Sequence, residues 1–217
     1  MVSSGKDIMS ENTLTDINAY EIIDNRGMPT IRVAVCIDNQ IWGKADVPSG
    51  SSTGSYEAME MRDGDARYRG KGVLKAIQNI HDIILPELRG KDASNQRAID
   101  TLMLELDGTE NKSNLGGNAI LGVSLAAARA AANACGKTLY KYLNTDANIL
   151  PVPQACLLNG GVHAGNDLDI QEFCVMPAGA RTFTESVQIL CETFYSLKDI
   201  LLDTLGKSAT NSGEDGG

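Results

Sequence analysis

The sequence contains no run of 18 apolar residues, and without one no transmembrane segment is expected. Basic residues are few and dispersed. Lys and Arg number 19 against 28 Asp and Glu, for a net charge of −9, and no Lys/Arg cluster exceeds scattered pairs. Nucleic acid and anionic membrane surfaces therefore find no footprint here. A phosphorylated substrate is not excluded, because a few local donors or a metal suffice to hold one. No CxxC pattern occurs. The five cysteines, Cys36, Cys135, Cys156, Cys174 and Cys191, are widely spaced and odd in number. They read as reduced, mostly buried thiols of a cytoplasmic protein rather than as zinc ligands. The N-terminal stretch is polar and lacks an apolar core, so it is not a signal peptide. Histidine is scarce. His81 lies one position off an apolar helical stripe and reads as a surface or satisfied residue, which leaves His163.

The 217 residues are 42% hydrophobic and 22% charged, ordinary for a soluble globular protein of one large domain or two small ones. Residues 1–18 read as a mobile tail. From Ala19 three short strands, 19–23, 30–37 and 41–47, are joined by tight turns into an antiparallel meander. Ile31, Val33, Val35 and Ile37 alternate with Arg32, Ala34 and Cys36, the period of a half-buried strand. Helices follow. Val73, Ile77, Ile80, Ile84 and Leu88 recur at three- and four-residue steps, with Pro86 expected to mark the end. Ile99, Leu102, Met103 and Leu106 share one face of a helix over 95–106, and an alanine-rich helix over 119–134 reads as internal. A short turn, 139–143, precedes a linker at 144–150. This divides the chain into a first domain, 19–143, and a second segment, 150–217.

The second segment predicts strands at 152–158 and 170–176. A capping box at Thr182 and Glu185 then opens a helix whose core face is Val187, Leu190, Phe194, Leu197 and Leu201. Two strands and one helix bury too little for a core of their own, so the segment reads as the opening of something larger, in a truncated chain.

Two stretches attract chemistry. Residues 151–173 place His163, asparagines and a carboxylate on a loop with paired glycines between two apolar strands, the usual way of mounting a site on a rigid scaffold. Residues 48–55 hold two glycines and five hydroxyls. This is a solvated linker or a lid whose oxygens reach a hard cation or a phosphate. Glu57, Glu60 and Asp63 follow at helical spacing and read as a solvated helical turn.

Ungapped blocks along the chain are similar to the N-terminal half of enolase: DNRGMPT (24–30), VPSGSSTGSYEAMEMRDGD (47–65), ELDGTENKSNLGGNAILGVSLAAARAAA (105–132), LLNGGVHAGN (157–166), IQEFCVMPAGA (170–180) and NSGEDGG (211–217). The resemblance implies an α+β N-terminal domain, a three-stranded antiparallel meander plus helices. The opening β-β-α segment of an incomplete enolase-type β/α barrel would follow. It implies the Mg²⁺-dependent reversible dehydration of 2-phosphoglycerate to phosphoenolpyruvate by a cytoplasmic homodimer of glycolysis and gluconeogenesis. The general base, the main metal ligands and the phosphate-binding residues would come from later barrel strands, so this chain alone is expected to be inactive. By position, Ser52 resembles the serine that caps the substrate-bridging Mg²⁺, and His163 the histidine that closes over substrate. Gln171 and Glu172 match the substrate-side pair, with Glu172 assisting at the leaving hydroxyl. The family's general acid is a glutamate that falls on Asp215, because Gly213-Glu214-Asp215-Gly216-Gly217 carries its two acids in exchanged order. If this stretch is extended, Glu214 and Asp215 point to opposite faces and Asp215 is one methylene short. A non-catalytic enolase-like protein with a binding or assembly role stands as the alternative.

Overall fold

The first strand starts earlier than the alternation at Ala19 indicates. β1 (Leu14–Ile23) already buries Leu14 and Ile17 completely, and Leu14 is tied to the chain beyond the first helices through its N–H to Lys91 O at 2.8 Å. The computed structural model describes residues 12–50, 52–213 and 215–217. Residues 14–18 are thus strand rather than tail, Thr13 bridges to Asp92, and residues 1–11 of the expected tail lie outside the described residues. The chain divides into two compact units, one ending at Ala147 and the other spanning Asn148–Gly217.

In the first unit, β1, β2 (Pro29–Ile37) and β3 (Ile41–Asp46) form the antiparallel meander in sequence order. Ile31, Val33, Val35 and Ile37 are fully buried, as the alternation predicts. Ala34 and Cys36 on the opposite face are buried too, so β2 is not half-exposed. Both are small and sit in the central strand, flanked in register by Asn18 and Lys44 and by Asp16 and Trp42. Longer neighbours of that kind shade a short side chain on both sides.

The helices close over the inner face. α1 (Leu74–Asn79), a π-helical turn (Ile80–Ile84) and α2 (Leu85–Leu88) make one continuous rod. Pro86 lies inside it instead of ending it. Its ring would clash with a regular helical turn, but the Leu85 N–H bonds five residues back to Ile80 O. The widened turn makes room for the ring. Val73, Ile80, Ile84 and Leu88 are fully buried from this rod. α3 (Gln96–Asp107) is capped by Asn95, whose side chain accepts the Ala98 N–H.

α4 (Gly117–Ala134) is the internal helix, lined by buried alanines. At Gly43 on β3 a Cβ would lie 2.0 Å from Ala130 N, and at Gly122 on α4 it would lie 2.6 Å from Val33 Cγ2. Sheet and helix thus approach at backbone distance, which explains why small residues recur on both. α5 (Leu139–Leu143) completes the unit.

Residues 57–63 are not helical. The Met59 N–H bonds Asn111 O, and Met59 O accepts the Gly117 N–H, both at 2.7 Å. Asn118 accepts the Met61 N–H and donates to Met61 O, both at 3.0 Å. A segment whose backbone is claimed from outside has no intrahelical bonds left to make. Asp63 is buried and accepts the first-turn amides of Leu74 and Lys75 at 3.1 and 2.8 Å, a capping role at a helix N-terminus.

The second unit holds β4 (Ala155–Asn159), β5 (Glu172–Val175) and α6 (Phe183–Leu205), a β-β-α segment as expected for the opening of the barrel. Both strands are shorter than the apolar runs that announce them. Pro153 has no N–H to give to a ladder, and pairing starts only at Ala155 opposite Val175. Thr182 caps α6 by accepting the Glu185 N–H at 3.1 Å, while the Glu185 carboxylate reaches back to the Arg181 N–H at 2.7 Å, one residue before the position of a regular capping box. The core face of α6 is realised fully only at Leu190. Phe194, Leu197 and Leu201 are half-buried and Val187 is exposed, because two short strands cannot cover a 23-residue helix. A cleft of about 650 Å³ runs between α6 and β4.

Candidate functional site

One irregularity in the hairpin gathers the side chains of the second unit. Cys156 stands opposite Cys174 and Asn159 opposite Glu172, with a register shift between Cys156 and Leu158. The shift means that β4 carries one residue more than β5 over this span. In a regular strand residues three apart point to opposite faces. The extra residue restores parity, so Cys156 and Asn159 share one face with Glu172 and Cys174. The Asn159 side-chain amide accordingly lies 3.4 Å from Cys156 Sγ.

Asn159 is buried and organises what surrounds it. Its Oδ1 accepts the Gly217 N–H at 3.1 Å, its Nδ2 donates to Asp215 Oδ2 at 3.2 Å, and its carbonyl accepts from Asn166 Nδ2 at 3.3 Å. The stretch that bears Asp215 is a turn rather than an extended strand. The Gly213 N–H bonds Gly217 O at 2.7 Å, the Gly216 N–H bonds Gly213 O at 3.2 Å, and Gly216 has φ +87°. The argument from alternating faces therefore does not describe Asp215, whose carboxylate turns toward Asn159. Glu214 lies outside the described residues.

His163 ends a short 3₁₀ turn, Gly161–His163, at the mouth of the hairpin. Gly160 places it there: its N–H bonds Gln171 O at 2.8 Å, and a Cβ at this position would lie 2.0 Å from Ile170 O. Asn166 braces the same loop by accepting the Gly161 and Leu168 N–H groups at 2.9 and 3.1 Å. The His163 side chain is only 9% exposed, and its Nδ1 lies 2.5 Å from Asp215 Oδ2. Gln171 Nε2 donates to Glu172 Oε1 at 3.1 Å. One donor atom each from His163, Glu172 and Asp215 lie within 4.8 Å of one another. Two carboxylates and an imidazole so close can hold a proton and pass it among themselves.

Four of the residues singled out from sequence, His163, Gln171, Glu172 and Asp215, thus meet in the second unit. Ser52 belongs to the first unit and is exposed on its loop. The base of that loop is tied down: Arg62 donates to Pro29 O, Lys71 O, Ser49 Oγ and Glu60 Oε1 at 2.6, 2.6, 3.0 and 2.7 Å. Glu60 is therefore an anchor of the loop. The sequence placed asparagines on this loop but did not single out Asn159 or its bond to Asp215. The cysteines are also placed differently: Cys36 is buried, whereas Cys135, Cys174 and Cys191 are exposed.

Comparison with known proteins finds similarity over nearly the whole chain. Residues 14–143 match the enolase N-terminal domain, and residues 147–217 match the enolase C-terminal TIM barrel domain. The enolase of Thermococcus kodakarensis is 55% identical over 205 residues, which cover 94% of this chain and 47% of that relative. The enolase of Pyrococcus furiosus is 54% identical over the same shares of each chain. That of Methanocaldococcus jannaschii is 52% identical, over 94% of this chain and 48% of its own. The chain spans about half the length of these curated relatives. Two family domains in order, on a fold of meander, helices and β-β-α hairpin unit, establish that the chain belongs to the enolase family.

Proposed function

We propose that this chain contributes to the Mg²⁺-dependent, reversible dehydration of 2-phosphoglycerate to phosphoenolpyruvate, a lyase reaction of glycolysis and gluconeogenesis. The observation that supports this reading best is the convergence of His163, Glu172 and Asp215 within 4.8 Å. Removal of a proton next to a carboxylate leaves a dianion, and the 3-hydroxyl departs only if a second group protonates it. Asp215 is the residue assigned to that delivery, with its carboxylate positioned by Asn159 and His163. Glu172 assists at the same hydroxyl, oriented by Gln171. His163 and Gln171 face the substrate.

Mg²⁺ takes oxygen ligands. The exposed Ser52 offers a hydroxyl and a backbone carbonyl of that class, so its donor chemistry fits. Ser52 would hold the ion nearest the substrate, and the bound ion would supply charge neutralisation at the substrate carboxylate. The same reading carries a cytoplasmic homodimer as its working form.

Residues 1–217 alone should give no measurable phosphoenolpyruvate. Joined to the remaining half of the Thermococcus kodakarensis enolase, they should give Mg²⁺-dependent turnover. A joined protein that folds yet leaves 2-phosphoglycerate untouched would refute the proposal.

A further inference from the structure

The bulged hairpin assembles a second cluster, which shares Glu172 with the first and adds two thiols that the dehydration does not use. Cys156 and Cys174 are cross-strand partners, and both lie on the face of Glu172. The two sulfurs and a Glu172 oxygen all lie within 4.8 Å of one another, with Cys174 Sγ 3.7 Å from Glu172 Oε2. We propose that Cys156, Cys174 and Glu172 form a binding site for a thiophilic divalent cation such as Zn²⁺, distinct from the Mg²⁺ chemistry of the family.

Two arguments carry it. The geometry is right: two thiolates at about 2.3 Å from a tetrahedral Zn²⁺ stand roughly 3.8 Å apart, and a carboxylate oxygen binds at about 2.1 Å. The three donor atoms already lie within 4.8 Å of one another. The donor set is selective, since thiolates favour zinc and its soft relatives, whereas Mg²⁺ requires oxygen. Three protein donors leave a fourth position open to water.

The site shares Glu172 with the His163 and Asp215 cluster.

The test is a titration of the reduced 217-residue chain with Cd²⁺, followed by the ultraviolet thiolate-to-cadmium charge-transfer band and by native mass spectrometry. One equivalent should bind, with a saturating band that excess Mg²⁺ does not displace. Cys156→Ser and Cys174→Ser should each abolish stoichiometric binding, whereas the double variant Cys135→Ser/Cys191→Ser should keep it. Glu172→Gln should weaken the binding and leave the band in place. Circular dichroism on each variant separates loss of ligand from loss of fold. A band that survives either single substitution, or a wild-type chain without a saturable one-equivalent band, overturns the proposal. So does loss of the band in the Cys135/Cys191 control.

Discussion

The buried Asn159 donates its side-chain amide to Asp215 Oδ2 at 3.2 Å across 56 positions of sequence, while its own carbonyl oxygen atom Oδ1 holds the Gly217 N–H at 3.1 Å. This one residue therefore fixes both the turn that bears the assigned acid and the direction in which that acid points.

Replacement of Asn159 by alanine should release the 213–217 turn without unfolding the hairpin, whose ladder is backbone-made. Amide exchange at Gly217 should accelerate while β4 and β5 stay protected. In a joined, active protein kcat should fall about a hundredfold, the cost of a misplacement on the order of 1 Å, with a much smaller change in KM. Unchanged exchange at Gly217 would remove Asn159 from this role.

Asp107, at the end of α3, contributes to the acid stability of the first unit. It is buried, and its carboxylate accepts the Leu115 N–H at 2.7 Å, the Thr109 N–H at 3.0 Å and the Thr109 hydroxyl. Burial pushes this carboxyl up, but the bonds from Leu115 and Thr109 outweigh it and the net effect lies below the ordinary value. A lowered folded pKa adds stability above the unfolded value of about 3.9, and that stability is lost as pH falls through the folded pKa. Asp107→Ala should cost about 2 kcal/mol at neutral pH, chiefly by leaving the Leu115 N–H unpaired. The gap between wild type and variant should shrink below about pH 4. Urea denaturation at stepped pH measures it, and a gap independent of pH would contradict the assignment.

Ser52→Ala, tested in the joined protein, should raise the Mg²⁺ concentration needed at the substrate-side ion and leave the tighter ion unaffected. A serine that merely solvates its loop would leave the Mg²⁺ titration unmoved.

Much of the fold was legible because periodicity is a local property. The meander, the Thr182 cap and the alanine-rich α4 follow from residues within a few positions of one another. Pro86 was not legible, since the π turn that accommodates it depends on the Ile80 carbonyl and on packing. The segment 57–63 was misjudged because Asn111, Gly117 and Asn118, some 50 positions away, claim its backbone. In the site, His163, Gln171, Glu172 and Asp215 were found through family resemblance, whereas their mutual geometry rests on a bulge. One extra residue in β4 leaves no signature in composition, yet it brings Asn159 and Cys156 to the face of Glu172. The thiol pair, 18 positions apart in sequence, was dismissed as a metal site for the same reason.

The most direct measurement separates the two halves of the reaction. In the joined protein, exchange of the substrate C2 hydrogen with deuterated water reports removal of the first proton, and phosphoenolpyruvate formation reports departure of the hydroxyl. If Asp215 delivers the second proton, Asp215→Asn should lower phosphoenolpyruvate formation by about 10²-fold or more while C2 exchange continues. If exchange and product formation fall together, or neither changes, Asp215 is not the acid and the account of this site is wrong.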